Sequence, residues 1–586
     1  MSAPAIENVR LRVARPPLSL RQFGPYSVLL VVVALVATPV AFLILGSFSS
    51  SALPGDISFS ALTFGNYARV WSDPGLPDVF LNTIVYAIGA TSLGVVIATV
   101  LAWLVERTDI PGKAWIYAAV PLTLAVPGLL QSMAWVFLMS PRVGFLNYFF
   151  QGIFGWSEPP FNVYTMSAMI FVESLRLVPT AFLMLVPLLR SMDPVLEEAA
   201  ATCGANNVST LRKVTLQLVL PGLLAIAIYQ FMTAIEAFEV PGIIGMPAGI
   251  LVFSTKIYLL LSQTTALPSY GQANALAMVY LLVAVVSIYL YSRAISHSER
   301  YSVITGKGYR PQSYRLGRGR YLALALVWAY ITLSVILPVL VLAYVSFLPA
   351  LVRPSFDIVH TFTWSNYSHV ISSPLIGRIV ANTLMMSALA ASLTAVLSFA
   401  ISIVVVRSRF WGRKILDQLA FAPSAIPGIV MGLAFLWVFL QVDKIAPGFF
   451  GTIWSITIVF CVGFIPFGTR AMNAAILQVH HDLEEAGYVS GARQWRVMWR
   501  IFCPLVMPAL VGVWIWSLLH AARIIGIPIL LYEGAENQVL AVLMWNMWEQ
   551  GQLPIVAATG TALTGFLLLA TVALRFVGFG SFRDSK

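Results

Sequence analysis

Several ionisable side chains stand inside long apolar stretches, where each is costly and marks a pathway, a partner or a neighbouring charge. Glu173 and Arg176 are three residues apart, a spacing that pairs them along one helix face. Glu236 and Glu239 repeat that spacing with two carboxylates, a pair that would attract a cation, and Arg523 stands alone in a later stretch. Two polar segments carry a second pattern. Glu197-Glu198-Ala199 runs on to Gly204, and Glu484-Glu485-Ala486 runs on to Gly491. Acidic residues in an opening turn suit the helix dipole. Small residues leave a surface that another protein can approach closely, and the glycines permit a sharp turn. His480 and His481 are adjacent and so point about 100° apart on a helix, which favours solvated contacts over a shared metal. Cys203, Cys461 and Cys503 form no disulfide framework or metal spacing. No convergent His/Asp/Glu/Ser cluster suggests an enzyme, and no cofactor or metal site is expected.

The elements that must position these groups follow from composition. Of 586 residues, 59% are apolar and only 10% charged, against about 25% in a soluble protein. Mean hydropathy is +0.85. A water-soluble protein of this size could not cover its surface so sparsely, so the chain is read as an integral membrane protein. Apolar runs long enough to span lie near 27–47, 79–105, 114–139, 163–189, 214–237 and 273–292. Six more lie near 321–347, 376–406, 415–441, 452–476, 505–530 and 555–578. At this length only helices satisfy their own backbone in lipid, so the fold class is all-α with about 12 transmembrane helices.

Charge placement sets the orientation. One set of loops holds 26 of the 35 Lys and Arg residues, the opposite set holds 6, and Arg176, Arg470 and Arg523 fall within spans. The positive-inside rule then places both termini in the cytoplasm. The net charge of +11 is thus accounted for by orientation toward membrane lipid, with no need for a nucleic-acid partner. The run from Ser27 to Gly46 lacks a small-residue cleavage site and is taken as a first span following a tail over 1–26.

The chain also repeats itself. Asn66-Tyr67 matches Asn366-Tyr367, Asn82-Thr83 matches Asn382-Thr383, and Pro127-Gly128 matches Pro427-Gly428, all at an offset of 300. Farther on, Glu197-Glu198-Ala199 matches Glu484-Glu485-Ala486 and Pro221 matches Pro508, at an offset of 287. The first half therefore carries an outward-facing insert of 13 residues between about 140 and 163. Both halves begin on one side, giving parallel repeats over 27–292 and 321–586 joined by a basic cytoplasmic linker over 293–320. At the later offset Glu236 aligns with Arg523, so an ion pair across the two halves is expected there.

The doubled segment resembles the EAA loop of membrane subunits of binding-protein-dependent ABC importers, in which Glu-Ala-Ala is followed after three residues by Gly and then by an aliphatic-X-Leu-Pro end. The resemblance covers nearly the whole chain, twice. It implies the type I importer permease fold. It also implies that Glu197, Glu198, Ala199 and Gly204, with Glu484, Glu485, Ala486 and Gly491, form coupling helices docking on cytoplasmic ATP-binding subunits, in two copies. An extracytoplasmic solute-binding protein would deliver the solute. Two departures exist: Gln217 stands where the second copy has Pro504, and Gly487 replaces the final Ala. No G-x-x-x-x-G-K-[ST] stretch occurs, so the chain has no phosphate-cradling loop for ATP. A single-chain fusion of this layout most resembles the ferric-iron branch, which also includes thiamine, phosphonate and polyamine systems. An ion-coupled secondary transporter with parallel repeats is the rival reading, and the doubled coupling loop argues against it. Glu236, Glu239 and Arg523 are the expected pathway residues.

Overall fold

The computed structural model describes residues 23–51, 62–190, 200, 202–204, 216–262, 267–298 and 314–583. The first half contains α1 (Phe23–Phe48), α2 (Leu76–Arg107), α3 (Lys113–Leu122), α4 (Gly128–Met139), α5 (Met166–Arg190), α6 (Leu216–Glu236), α7 (Phe253–Leu261) and α8 (Tyr270–Ser298). In the second half, α9 (Gly319–Ile331) continues through a π turn into α10 (Leu337–Ser346). Then follow α11 (Pro374–Arg407), α12 (Arg413–Phe421), α13 (Gly428–Asp443), α14 (Ile453–Gln478), α15 (His481–Val489), α16 (Cys503–Ala521), α17 (Leu540–Glu549) and α18 (Leu553–Arg583).

Among the described residues, nine helices are long and apolar enough to cross a membrane unbroken. Two further expected spans are broken. The chain turns by 90° between α3 and α4 and by 112° between α12 and α13. Both turns fall at the matched Pro-Gly pairs. Proline has no N–H to continue the helical ladder, and it biases the residue before it toward extended backbone. Val126 and Ile426 both have extended ψ, at 116° and 110°. With α18 these complete the twelve expected spans.

One feature was not expected. Between α6 and α8 the segments Pro241–Ala248 and Phe253–Leu261 form a bent pair at 78°, and α17 holds the corresponding place in the second half. The matched Asn-Thr dipeptides explain how these short helices are held. Asn82 Nδ2 donates to the Leu251 carbonyl at 3.2 Å, and Thr83 Oγ1 accepts from the Phe253 amide at 3.1 Å. In the second half Asn382 Nδ2 donates to the Gln538 carbonyl at 3.3 Å, and Thr383 Oγ1 accepts from the Leu540 amide at 2.8 Å. These amides open α7 and α17 and have no partner within their own helices. The matched Asn-Tyr pairs work alike. Asn66 Nδ2 donates to the carbonyls of Ser47 and Ser49 at 3.1 and 2.7 Å. Asn366 Nδ2 donates to those of Ser346 and Leu348 at 2.9 and 2.8 Å.

Helices in lipid associate by close packing more than by burying apolar area, so small residues concentrate where backbones meet. Ala90, Gly94 and Ala98 on α2 are buried toward α5. Ala390, Thr394 and Ser398 occupy the equivalent buried positions on α11, toward α14. The first span of each half crosses to the other: α1 packs on α13, and α10 packs on α4. The two repeats therefore interlock, each bracing its partner's broken span. At the centre, Trp545 Nε1 donates to the Tyr258 hydroxyl at 3.2 Å; these two residues are themselves related by the repeat.

Candidate functional site

The second polar segment forms a discrete helix, α15, with Asp482 and Glu484 in its first turn. Its end is fixed by Gly491, whose φ of 79° lies in the left-handed region. There the Gly491 amide donates to the Tyr488 carbonyl at 3.0 Å and the Ala492 amide to the Gly487 carbonyl at 3.1 Å. This bond pair is the Schellman end that glycine favours. Gly204 in the first copy has φ of 82°; Glu197, Glu198 and Ala199 lie outside the described residues. The departure at Gly487 has a steric reason. A Cβ there would lie 2.9 Å from a Val497 methyl and 3.0 Å from Ile501 Cδ1, so glycine lets α15 sit directly on the segment leading into α16.

The exposed side of α15 carries Leu483, Glu485, Ala486, Tyr488 and Val489, with Val489 88% exposed. Its inner side is tied to the body by Arg407, at the end of α11. Arg407 Nη2 donates to the carbonyls of Ile476 (2.9 Å), in the last turn of α14, and Val479, the residue just past its end. Its guanidinium lies 5.6 Å from the Phe502 ring centroid. Arg407 Nε is 3.4 Å from a Glu484 carboxylate oxygen, an ion pair lacking hydrogen-bond geometry. One cation thus joins the end of α14, the helix α15 and the segment entering α16. In the first half, Arg107 Nη2 donates to the Leu189 carbonyl at 3.0 Å. His480 Nδ1 meets the Asp482 carboxylate at 3.0 Å, both largely exposed.

Glu173, Arg176, Glu239 and Arg523 gather around the break between α3 and α4, whereas Arg470 pairs with Asp417 within the second half. Glu173 and Arg176 form the expected local pair: Arg176 Nε donates to both carboxylate oxygens at 3.1 Å, and Nη2 to one at 2.5 Å. Glu173 is fully buried. Arg176 and Glu239 both close on Gly128, where a Cβ would lie 3.2 Å from Arg176 Cδ and 3.8 Å from the Glu239 carboxyl carbon. Arg523 lies within electrostatic reach of Arg176 and Glu239. The expected Glu236–Arg523 ion pair is not formed. Arg523 Nη1 donates instead to the Leu124 carbonyl, and Nη2 to His520 Nε2 at 2.7 Å. Glu236 keeps an exposed side chain and makes no hydrogen bond or ion pair among the described residues. The expectation failed because a carbonyl left without its helical partner beside Pro127 is the nearer acceptor for Arg523.

Comparison with known proteins bears directly on this arrangement. A family model described as "Binding-protein-dependent transport system inner membrane component" matches the chain twice, over residues 90–297 and 396–579. The chain belongs to this permease family. It is 25% identical over 491 residues to the "Ferric transport system permease protein FbpB" of Actinobacillus pleuropneumoniae, covering 83% of this chain and 68% of that protein. It is 26% identical over 448 residues to the "Putative ferric transport system permease protein FbpB 1" of Haemophilus influenzae, covering 76% and 68%. A "Maltose/maltodextrin transport system permease protein MalF" of Vibrio parahaemolyticus is 27% identical over 245 residues, 38% of this chain and 46% of that one.

The protein is therefore a fused, two-repeat, multi-pass inner-membrane permease of the ABC importer class, with an all-α fold. Its relatives are transport permeases. Sequence reasoning missed two of its working parts. Arg407 stands in a basic run that the positive-inside rule alone explained, although its match to Arg107 at the same offset was the available signal. His520 carried no motif at all. Its ring stacks on Trp516 with centroids 3.9 Å apart, and Trp516 stacks on Phe467 at 3.8 Å.

Proposed function

We propose that this permease translocates ferric iron, handed over by an extracytoplasmic solute-binding protein and driven by two cytoplasmic ATP-binding subunits. The observation carrying the mechanical part is α15: an exposed face of Leu483, Ala486 and Val489, rimmed by Glu485 and fastened through Arg407 to α11, α14 and the entry to α16. A push on such a helix reaches three spans at once. Closure and opening of the ATP-binding subunits would then rock the interlocked repeats and alternate access to a pathway between them. Glu197, Glu198, Ala199 and Gly204 form the first coupling site in this reading, and Glu484, Glu485, Ala486 and Gly491 the second. Glu236, Glu239 and Arg523 line the pathway. Both termini are cytoplasmic, and repeats over 27–292 and 321–586 flank a cytoplasmic linker over 293–320.

Iron is the favoured solute because two relatives that cover most of the chain are named ferric transport permeases. Thiamine, phosphonate and polyamine are the competing solutes. The test is uptake of radiolabelled ferric iron by cells lacking and then regaining this chain, alongside co-purification of the ATP-binding subunit. Glu485→Lys should abolish both capture of that subunit and uptake. Uptake persisting without any ATP-binding subunit would sink the ABC reading. Unchanged iron uptake with loss of another solute would overturn only the substrate.

A further inference from the structure

The contact between Arg523 and Leu124 crosses the two halves and occurs once. The α3 segment ends in a turn over Thr123–Ala125, and its ladder is cut before α4. In a continuous helix the Leu124 carbonyl would accept from Gly128, four residues on. The 90° turn at Val126–Pro127 removes that donor, and the guanidinium of Arg523, from the other half, takes its place. Arg523 is aimed by a short chain of contacts. The His520 ring accepts from Arg523 through Nε2, and its Nδ1 pairs with the Trp516 carbonyl at 2.9 Å. This assigns the proton to Nδ1 and holds the imidazole neutral, as an acceptor toward the cation. Stacking of Phe467, Trp516 and His520 fixes the ring that does this.

The pseudo-equivalent site cannot make the same contact. Under the repeat, Ser424 takes the place of Leu124, and Glu236 takes that of Arg523. A carboxylate accepts hydrogen bonds and cannot satisfy a carbonyl. Thr123 likewise has Pro423 as its counterpart, so the hydrogen bond between Thr123 Oγ1 and the Tyr330 hydroxyl, at 3.0 Å, has no second-half copy either. Both breaks are packed against the other half, but among the described residues only the first half's break receives side-chain hydrogen bonds from across the interface.

We propose that Arg523 is a one-sided latch between the repeats, closed on the Leu124 carbonyl here and released when the pathway opens, with His520 as its positioning residue. The proposal rests on the permease reading for its purpose, but its test needs neither the ATP-binding subunit nor iron. A single cysteine at position 124 (Leu124→Cys, which keeps the backbone carbonyl) is introduced into the full chain with Cys203, Cys461 and Cys503 replaced. Its labelling by a charged thiol reagent is timed on protein in nanodiscs. Arg523→Met should speed labelling by about tenfold, the scale on which a charge-assisted hydrogen bond shifts a two-state equilibrium. Arg523→Lys, which keeps a cationic donor, should restore most of the slow rate. Pro127→Ala allows Leu124 its own helical donor, so it should mimic Arg523→Met, and the two together should add nothing further. This variant also carries the test if Arg523→Met does not fold. Equal labelling with and without Arg523, or fully additive effects of the two changes, would overturn the latch.

Discussion

Arg407→Met isolates what fastens α15 while preserving most of the apolar stem. The substitution removes charged donors from the carbonyls of Ile476 and Val479, and a hydrogen bond of that kind contributes about 1.5–3 kcal/mol. It also removes a cation–π contact with Phe502, worth about 0.5–1 kcal/mol where partly exposed. The ion pair with Glu484 adds about 0.2–1 kcal/mol, because its 3.4 Å geometry is loose and Glu484 retains 20% exposure. A net loss of about 3 kcal/mol is reasonable, on the order of a hundredfold in the local opening equilibrium. Hydrogen exchange on the full chain in nanodiscs should show that loss in amides 484–492, with α2 and α5 unaffected. Glu484→Gln removes only the ion pair and should raise exchange about fivefold or less. If Glu484→Gln loosened α15 as much as Arg407→Met, or if neither changed it, the account of Arg407 as the fastening would be refuted.

Three other outcomes follow from the geometry. Thr83→Val and Thr383→Val each strip the acceptor from a buried helix-opening amide and should lower stability by about 1–3 kcal/mol. The double variant should be near additive, since the sites lie in different halves; thermal unfolding in nanodiscs reads both. Gly487→Val should push α15 off Val497 and Ile501, an overpacking effect of about 1–3 kcal/mol, and weaken capture of the ATP-binding subunit while leaving the α7 and α17 contacts intact. The Asp73 carboxyl is held below its ordinary value of 3.8, chiefly by its hydrogen bond with Lys256 and then by the Gly75 amide. A depressed folded-state value means its contribution is complete above the ordinary carboxylate range and fades as pH falls through the lowered value. The melting-temperature gap between the parent and Asp73→Asn should therefore hold from neutral pH down to about 5 and shrink below about 4.

Membrane class, span number and the twofold repeat were legible in the residues because each rests on local patterns. A long apolar run satisfies its own backbone, and Pro-Gly pairs break a helix wherever they fall. The doubled polar segment was legible as a motif for the same reason, and Gly204 and Gly491 do adopt the left-handed backbone that a sharp turn there called for. The matched Asn-Thr and Asn-Tyr dipeptides could be seen as a repeat but not understood. Their partners lie as much as 170 residues away, and nothing nearby in sequence names an amide to be capped. The short helix α7 was missed because nine residues cannot register as a span by hydropathy.

Symmetry itself misled at Glu236 and Arg523. Aligned positions in two repeats share a place in the fold, yet the bond actually made depends on which acceptor is closest and least satisfied. Composition and spacing alone established a membrane-spanning chain of two repeats, and the doubled motif supplied the resemblance to importer permeases. Only the tertiary structure decided that Arg407 fastens α15, and that Arg523 closes on a backbone carbonyl 399 residues away. The physical reason is that such partners are selected by the directional needs of buried polar groups, which appear only once the chain has bent and packed.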